Sequence, residues 1–352
     1  MMNKASTPST PRILLVKLSS LGDVLHSLPF LEALRQAFPR GHITWLVEAA
    51  YAPLLVGHPA LDQVWPVPRV RLGQKVRLQE LAALLRLMHR VRAHPFDLVI
   101  DLQGLLKSAV WVALAKSPRK VGYDKTRESS YQVLTERVPP YDPEAHAVRR
   151  YLHLAYYLGA SPAQPIRFRL GLTPKTDVSA LLPTNDPCPL VVLHPGARWP
   201  TKLWPAASLA RLGDWLIREK GLQVIITGSA ADQGLAAPIE AHMTEEAVNL
   251  VGRTSLEELA GILQKARLAV TADTGPMHLA AALGTPVAAL FGPTAPWRTG
   301  PFGPGHEIVR LDLDCSPCFK RRCPEPRCLT ELPLAAVQAA CEKILASEGN
   351  TC

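Results

Sequence analysis

Lys17 and Asp23 stand six residues apart in VKLSSLGDVLH, Val16 to His26, with two serines and a glycine between them. A short apolar run, Ile13 to Val16, comes before and an apolar periodic segment follows, so the stretch reads as a strand handing over to a helix. Ser19, Ser20 and Gly22 make a small turn whose amides can approach a ligand closely. Asp23 then has two readings. It is an N-cap or first-turn acid favoured by the helix dipole, or it is a general base, which needs only hydrogen-bond reach to a hydroxyl.

Two further loops carry candidate chemistry. HPGARWPTKLWP, His194 to Pro205, offers Arg198, Thr201 and Lys202 just before a helix, an arrangement suited to holding a phosphate. TADTGPMHLAAALGTP, Thr271 to Pro286, ends a strand at Asp273 and opens a helix with Thr274, Gly275 and Pro276. Gly275 lets backbone N–H groups close on an anion, and His278 lies about one turn further on. FGPTAP, Phe291 to Pro296, follows the next strand and borders the same region. Neither GxGxxG nor a Walker A sequence is present, so this is not the dinucleotide or P-loop form of phosphate binding.

The elements that must position these loops alternate. Apolar strand-like runs occur at 13–17, 42–47, 97–101, 190–194, 223–227, 268–271 and 286–291, with helical patterns at 24–38, 76–93, 144–158, 206–219, 231–242, 255–265 and 276–283. This predicts an α/β chain with parallel sheets covered on both faces, whose ligands bind beyond the carboxyl ends of the strands. The Pro-rich stretch 166–189 separates an expected first domain, 1–165, from a second, 190–332, and a final helix falls within 333–352.

Hydrophobic residues make up 47% of the 352 and charged residues 20%, a globular composition. No apolar run approaches the ~18 residues of a membrane span, and the first residues lack a secretory h-region, which predicts a cytoplasmic protein. The net charge of +9 is one-sided: residues 1–180 carry +11 and residues 181–352 carry −2. A basic half points to an anionic partner or to a solubilising surface. Between Arg69 and Arg92, basic residues interleave with Leu81, Leu84, Leu85 and Met88, which fits either an amphipathic helix on an anionic membrane or a core helix with a charged outer face. A nucleic-acid-binding protein is the alternative of another class, but no RRM, KH or HTH signature supports it. Cys315, Cys318, Cys323 and Cys328 follow a C-x2-C-x4-C-x4-C pattern. It fits a structural Zn or Fe–S site, a loop of free thiols, or bridges formed on oxidation. Cys188, Cys341 and Cys352 stand apart from it.

Together, ILLVKLSSLGDVLHSLP, DLQGLLKSA, HPGARWPTKLWP and TADTGPMHLAAALGTPVAALFGPT resemble, in order and approximate spacing, the motifs of the lipopolysaccharide heptosyltransferases of glycosyltransferase family 9, from residue 12 to about 345. The opening block is closer in form to the heptosyltransferase I branch than to II. The resemblance implies a GT-B fold, two Rossmann-like domains facing each other across a cleft, with the acceptor on the first and the nucleotide sugar on the second. It implies inverting transfer of L-glycero-D-manno-heptose from ADP-heptose to a Kdo residue of Kdo-bearing lipid A, at the cytoplasmic face of the inner membrane, with no required metal or cofactor and no nucleic acid. A later core heptosyltransferase, another ADP-sugar transferase of the same fold, or a nucleotide-sugar-binding protein without catalysis are its neighbours.

Carried over to this chain, the resemblance makes Asp23 the base and puts Lys17, Ser19, Ser20 and Gly22 on the acceptor side, with Lys107, Arg127 and His146 in later acceptor-side blocks. It makes Thr201, Lys202, Asp273, Thr274, Gly275 and His278 donor-binding. One departure stands out. Where the family often has a ribose-contacting Glu, this chain reads TGSAADQG, with Ala230, Ala231 and then Asp232.

Overall fold

The computed structural model describes residues 10–68, 78–162, 165–171, 177–182 and 189–348. Arg69, Arg71, Lys75 and Arg77 of the basic stretch, parts of the Pro-rich stretch, Cys188 and Cys352 lie outside the described residues. The chain divides into two compact units, Met1–Leu172 and Thr173–Cys352.

The first unit runs β1 (Arg12–Val16), α1 (Leu21–His26), α2 (Leu28–Ala37), β2 (His42–Glu48), β3 (Gln63–Val67), α3 (Leu78–Ala93), β4 (Leu98–Asp101), α4 (Leu106–Leu114), β5 (Lys120–Tyr123), β6 (Glu136–Val138) and α5 (Ala147–Tyr157). The second runs β7 (Leu190–His194), α6 (Ala206–Arg218), β8 (Gln223–Ile226), α7 (Gln233–His242), β9 (Val248–Asn249), α8 (Leu256–Lys265), β10 (Ala266–Ala272), α9 (Gly275–Leu283), β11 (Val287–Phe291), α10 (Pro296–Thr299), β12 (Glu307–Arg310), α11 (Arg327–Thr330) and α12 (Leu334–Glu348).

Each unit holds one six-stranded sheet, ordered β3-β2-β1-β4-β5-β6 and β12-β11-β10-β7-β8-β9. Counted from its own first strand, each is the doubly wound order 3-2-1-4-5-6, and every strand pair is parallel. The strands at the centre are fully covered, which is why they read as unbroken apolar runs: Ile13, Leu14, Leu15 and Val16 of β1 are all completely buried. In this order the switch point lies between β1 and β4 in the first sheet and between β7 and β10 in the second. Loops leaving those neighbouring strands diverge there and open a crevice.

The single helix expected over 24–38 is two. Ser27 ends α1 and caps α2, and Pro29, which has no N–H to donate, sits in the first turn of the new helix. The edge strands β3, β6, β9 and β12, and β5 beside β6, were not among the expected runs. They are two to five residues long and mix in polar residues or, in β3, Pro66, which only an edge strand accommodates. The last helix, α12, is part of the second unit's core: Val337, Ala340, Cys341 and Ile344 pack with Leu209, Leu268 and Leu290.

Gly171 closes the first unit. Its N–H donates to the Leu54 carbonyl at 2.7 Å, and a Cβ there would lie 2.3 Å from the Val56 carbonyl oxygen. Backbone on that side cannot yield. Gly171→Ala should therefore cost about 1–3 kcal/mol by overpacking. Gly234→Ala in α7, where nothing lies within 4 Å, should be neutral or gain up to about 1 kcal/mol. Urea unfolding of the full chain reads both, and a Gly171 variant as stable as the parent would contradict the packing.

Candidate active site

In the first unit the site starts from a buried cation. Lys17 extends β1 by one residue and is 2% exposed. Its ammonium donates to the Leu102 carbonyl at 3.2 Å and to the Tyr151 hydroxyl at 2.7 Å, and lies 3.6 Å from Asp23 Oδ1. Burial pushes the Lys17 pKa down, and the charges of Asp23 and Asp101 offset this in part. Asp23 stands at the third position of α1. Its Oδ2 accepts from the Ser20 N–H at 3.1 Å and from Ser20 Oγ at 2.9 Å, while Oδ1 accepts from the Tyr151 hydroxyl at 3.1 Å. One carboxylate thus serves both readings of the sequence: Oδ2 caps the helix and Oδ1 belongs to a charged cluster. Burial raises its pKa, but Lys17 and the hydrogen bonds from Ser20 and Tyr151 outweigh that and hold it below the usual range. The side chain is still 42% exposed, so the ionised group is open to a ligand.

The neighbouring strand fixes the turn. Gln103, just past β4, accepts the N–H groups of Leu18 and Ser19 at 3.0 Å each. Asp101 folds its own loop back by accepting from the Gln103 and Gly104 amides and from Ser108 Oγ. Gly104 has φ +64 there, and a Cβ would meet Thr126 at 2.9 Å. Lys107 donates to Ser19 Oγ and, at 3.1 Å, to Glu48 Oε1.

The second unit repeats the device. Lys202 donates to Asp273 Oδ2 at 2.6 Å and to its carbonyl at 3.1 Å, and it lies over the Trp199 ring. His278 Nε2 is 3.8 Å from Asp273 Oδ1. Thr274 stands at the N-cap position of α9, with Gly275 and Pro276 in its first turn, so the positive end of the helix dipole stands beside the lysine. His194, at the tip of β7, pairs with Thr227 Oγ1 at 3.1 Å, and burial holds it neutral, its pKa lowered to about 4. A cation, an oriented carboxylate and a helix N-terminus are thus gathered in one place, a combination chemically able to hold a phosphate.

The profile of glycosyltransferase family 9 (heptosyltransferase) matches residues 84–329. The chain is 37% identical over 320 residues to lipopolysaccharide heptosyltransferase 1 of Pseudomonas aeruginosa, covering 89% of this chain and 87% of that protein. The chain belongs to glycosyltransferase family 9. It is also 31% identical over 314 residues to lipopolysaccharide heptosyltransferase 2 of Salmonella typhimurium, covering 85% of this chain and 88% of that one. The solved E. coli heptosyltransferase WaaC with ADP matches with a TM-score of 0.77 at 28% identity, over 95% of this chain and 99% of that chain. The expected GT-B class, with its two Rossmann-like parallel sheets, is the fold of this glycosyltransferase.

The transferase brings Lys17, Ser19, Ser20, Gly22, Asp23 and Lys107 together at one switch point, and Lys202, Asp273, Thr274, Gly275 and His278 at the other. Lys17 is enclosed behind Asp23 and Tyr151. Thr201 is buried, and its hydroxyl donates to the Lys320 carbonyl at 2.8 Å, which ties down the loop that carries Lys202. Arg127 is exposed in the 127–133 turn, whose Glu128 accepts the Leu106 N–H at 2.8 Å. His146 caps α5 through Nδ1 and packs edge-on to His26, ring centroids 5.1 Å apart. Asp232 Oδ2 accepts from the Ser229 N–H and Oγ, and the side chain packs against Gly196.

Sequence reading missed Tyr151, Asp101 and Gln103. Asp101 and Gln103 lie inside the quoted DLQG block, but Tyr151 had no local signal: it sits in an ordinary amphipathic helix. Cys315, Cys318, Cys323 and Cys328 all line one cavity of about 280 Å³, and with Cys341 they are free thiols. Among the described residues, no three His, Cys, Asp or Glu side chains are grouped so as to hold a metal ion.

Proposed function

We propose that the chain transfers L-glycero-D-manno-heptose from ADP-heptose to a Kdo residue of Kdo-bearing lipid A, the first heptosyl step of the inner core. The observation that carries the reading is Asp23: ionised, accessible, and held in one orientation from two sides. In an inverting displacement it takes the proton of the acceptor hydroxyl as that oxygen bonds to the anomeric carbon. The bond from that carbon to the diphosphate oxygen breaks, and ADP leaves with the electron pair. Lys202 and the first turn of α9 meet the charge that develops on it, each donor worth on the order of 2–4 kcal/mol. The higher identity to a heptosyltransferase 1 than to a heptosyltransferase 2 favours the first step, and transfer to an existing heptose is the second reading.

The lipid acceptor gives the basic first unit a partner. Leu78, Leu81 and Leu85 of α3 and Leu106 and Val110 of α4 are exposed, with Arg86 and Arg92 also exposed on α3. No helix among the described residues is long and apolar enough to cross a membrane. An apolar strip with flanking cations supports peripheral docking of a cytoplasmic enzyme on the anionic inner membrane.

Asp23→Asn should lower kcat by roughly 10²–10⁴-fold while ADP affinity, set by the other unit, stays within about threefold. Lys202→Ala should weaken ADP binding about 10–100-fold, the loss of a charge-assisted contact. Calorimetry with ADP and a product assay read both, and unchanged ADP affinity in the lysine variant would remove it from the donor site. Assayed against Kdo-bearing lipid A and against the same acceptor already carrying one heptose, the enzyme should use the first; preference for the second would assign the later step. Leu81→Asp with Leu85→Asp should abolish sedimentation with phosphatidylglycerol vesicles, and undiminished binding would refute the docking face.

A further inference from the structure

Tyr151 stands between two charges. Its hydroxyl lies 2.7 Å from Lys17 Nζ and 3.1 Å from Asp23 Oδ1. An ammonium can only donate, so the phenol oxygen must accept from Lys17, and its own proton is left for Asp23. The chain of hydrogen bonds therefore has one direction, Lys17 to Tyr151 to Asp23, and each link polarises the next. The arrangement also separates the charges: Lys17 stays 3.6 Å from the carboxylate instead of pairing with it at hydrogen-bond distance. A carboxylate drawn onto a buried ammonium would turn toward the interior and become a weaker base.

We propose that Tyr151 is a positioning residue of the transfer reaction: it spaces Asp23 from Lys17 and, with Ser20 on the other oxygen, leaves the carboxylate a single orientation in which to meet the acceptor hydroxyl. This rests on Asp23 being the base. Burial, and then the Asp23 charge, hold the phenol well above its usual pKa, so it remains a donor throughout the working range. The other titratable groups around the cluster include Asp101 at the end of β4, Tyr123 at the end of β5, Arg150 beside Tyr151 on α5, His26 on α1 and His146 against it. They are the same in every variant below.

The test is steady-state kinetics across pH with ADP-heptose and Kdo-bearing lipid A, for the parent, Tyr151→Phe and Asp23→Asn. Tyr151→Phe should lower kcat about 10–100-fold with both KM values within about threefold. The acid limb of kcat/KM should shift from the parent's, to higher pH through loss of a hydrogen bond that favoured the ionised carboxylate or to lower pH where the freed carboxylate closes onto Lys17. A tyrosine that only filled space would move neither the limb nor the ratio of kcat to KM. Site-specific 3-fluorotyrosine at position 151 keeps the side chain and strengthens the donor, so it should move the limb to lower pH; this arm decides the matter if the phenylalanine variant does not fold. A parental kcat and an unmoved limb in Tyr151→Phe, with Asp23→Asn inactive, would overturn the role of Tyr151 alone. Activity of Asp23→Asn within about tenfold of the parent would instead overturn the assignment of the base.

Discussion

A lysine ammonium enclosed at the tip of a central parallel strand sets the terms for the first unit. Removing such a charge from water costs several kcal/mol unless partners replace the lost hydration, and breaking the resulting pair is worth about 3–5 kcal/mol. Lys17 therefore requires acceptors at fixed places, and the surrounding elements supply them: a carbonyl from the β4 loop, a hydroxyl from α5 and a carboxylate from the first turn of α1. Asp101, buried beside it, adds a second negative charge from the neighbouring strand. The entry to α1, the loop after β4 and α5 thus meet at one cation.

The second unit answers the same constraint with different residues. Lys202 arrives from the loop after β7 and Asp273 from the end of β10, the two strands that flank the switch point, just as β1 and β4 do in the first sheet. In the second unit topology, not local sequence, brings the pair together, whereas in the first Lys17 and Asp23 both come from the segment that leaves β1. The outcomes differ in exposure. Asp23 keeps an open face, whereas Asp273 is 8% exposed and bonded to Lys202. In the proposed reaction this is a division of labour. The open carboxylate exchanges a proton, and the closed one orients a cation.

Much of this was legible in the residues because central parallel strands and their tips carry strong signals. Unbroken apolar runs marked β1, β4, β7, β8, β10 and β11, and an acid among small residues just past the strand end marked β1 and β10 as strands to search for a site. The capping role of Asp23 was also legible, since Ser20 and Asp23 have the spacing of a capping box. Tyr151 was not. Its participation depends on α5 packing beside α1, a contact between segments 128 residues apart, and nothing in the helix itself separates a tyrosine that faces an ion pair from one that fills space. Lys17 was legible as a residue but not as an enclosed one, because burial of a lysine depends on partners that come from three other elements. The edge strands escaped for the opposite reason: short, half-exposed strands have weak periodicity.

The distribution of charge separates two kinds of anion recognition. Residues 1–180 carry +11 and residues 181–352 carry −2, yet the cradle suited to a diphosphate lies in the second unit. Charges separated by more than about 8 Å are largely screened at physiological ionic strength. In the proposed reaction a small anion is therefore held by what stands next to it: Lys202, oriented by Asp273, and the start of α9. Overall charge matters only for a partner large enough to meet many surface groups at once. The excess on the first half includes exposed arginines beside exposed leucines on α3, and a membrane surface is such a partner. The near-neutral unit with one precise cradle and the basic unit with a dispersed field thus match a soluble anionic donor and a surface-bound acceptor, which is the pairing that the proposed transfer requires.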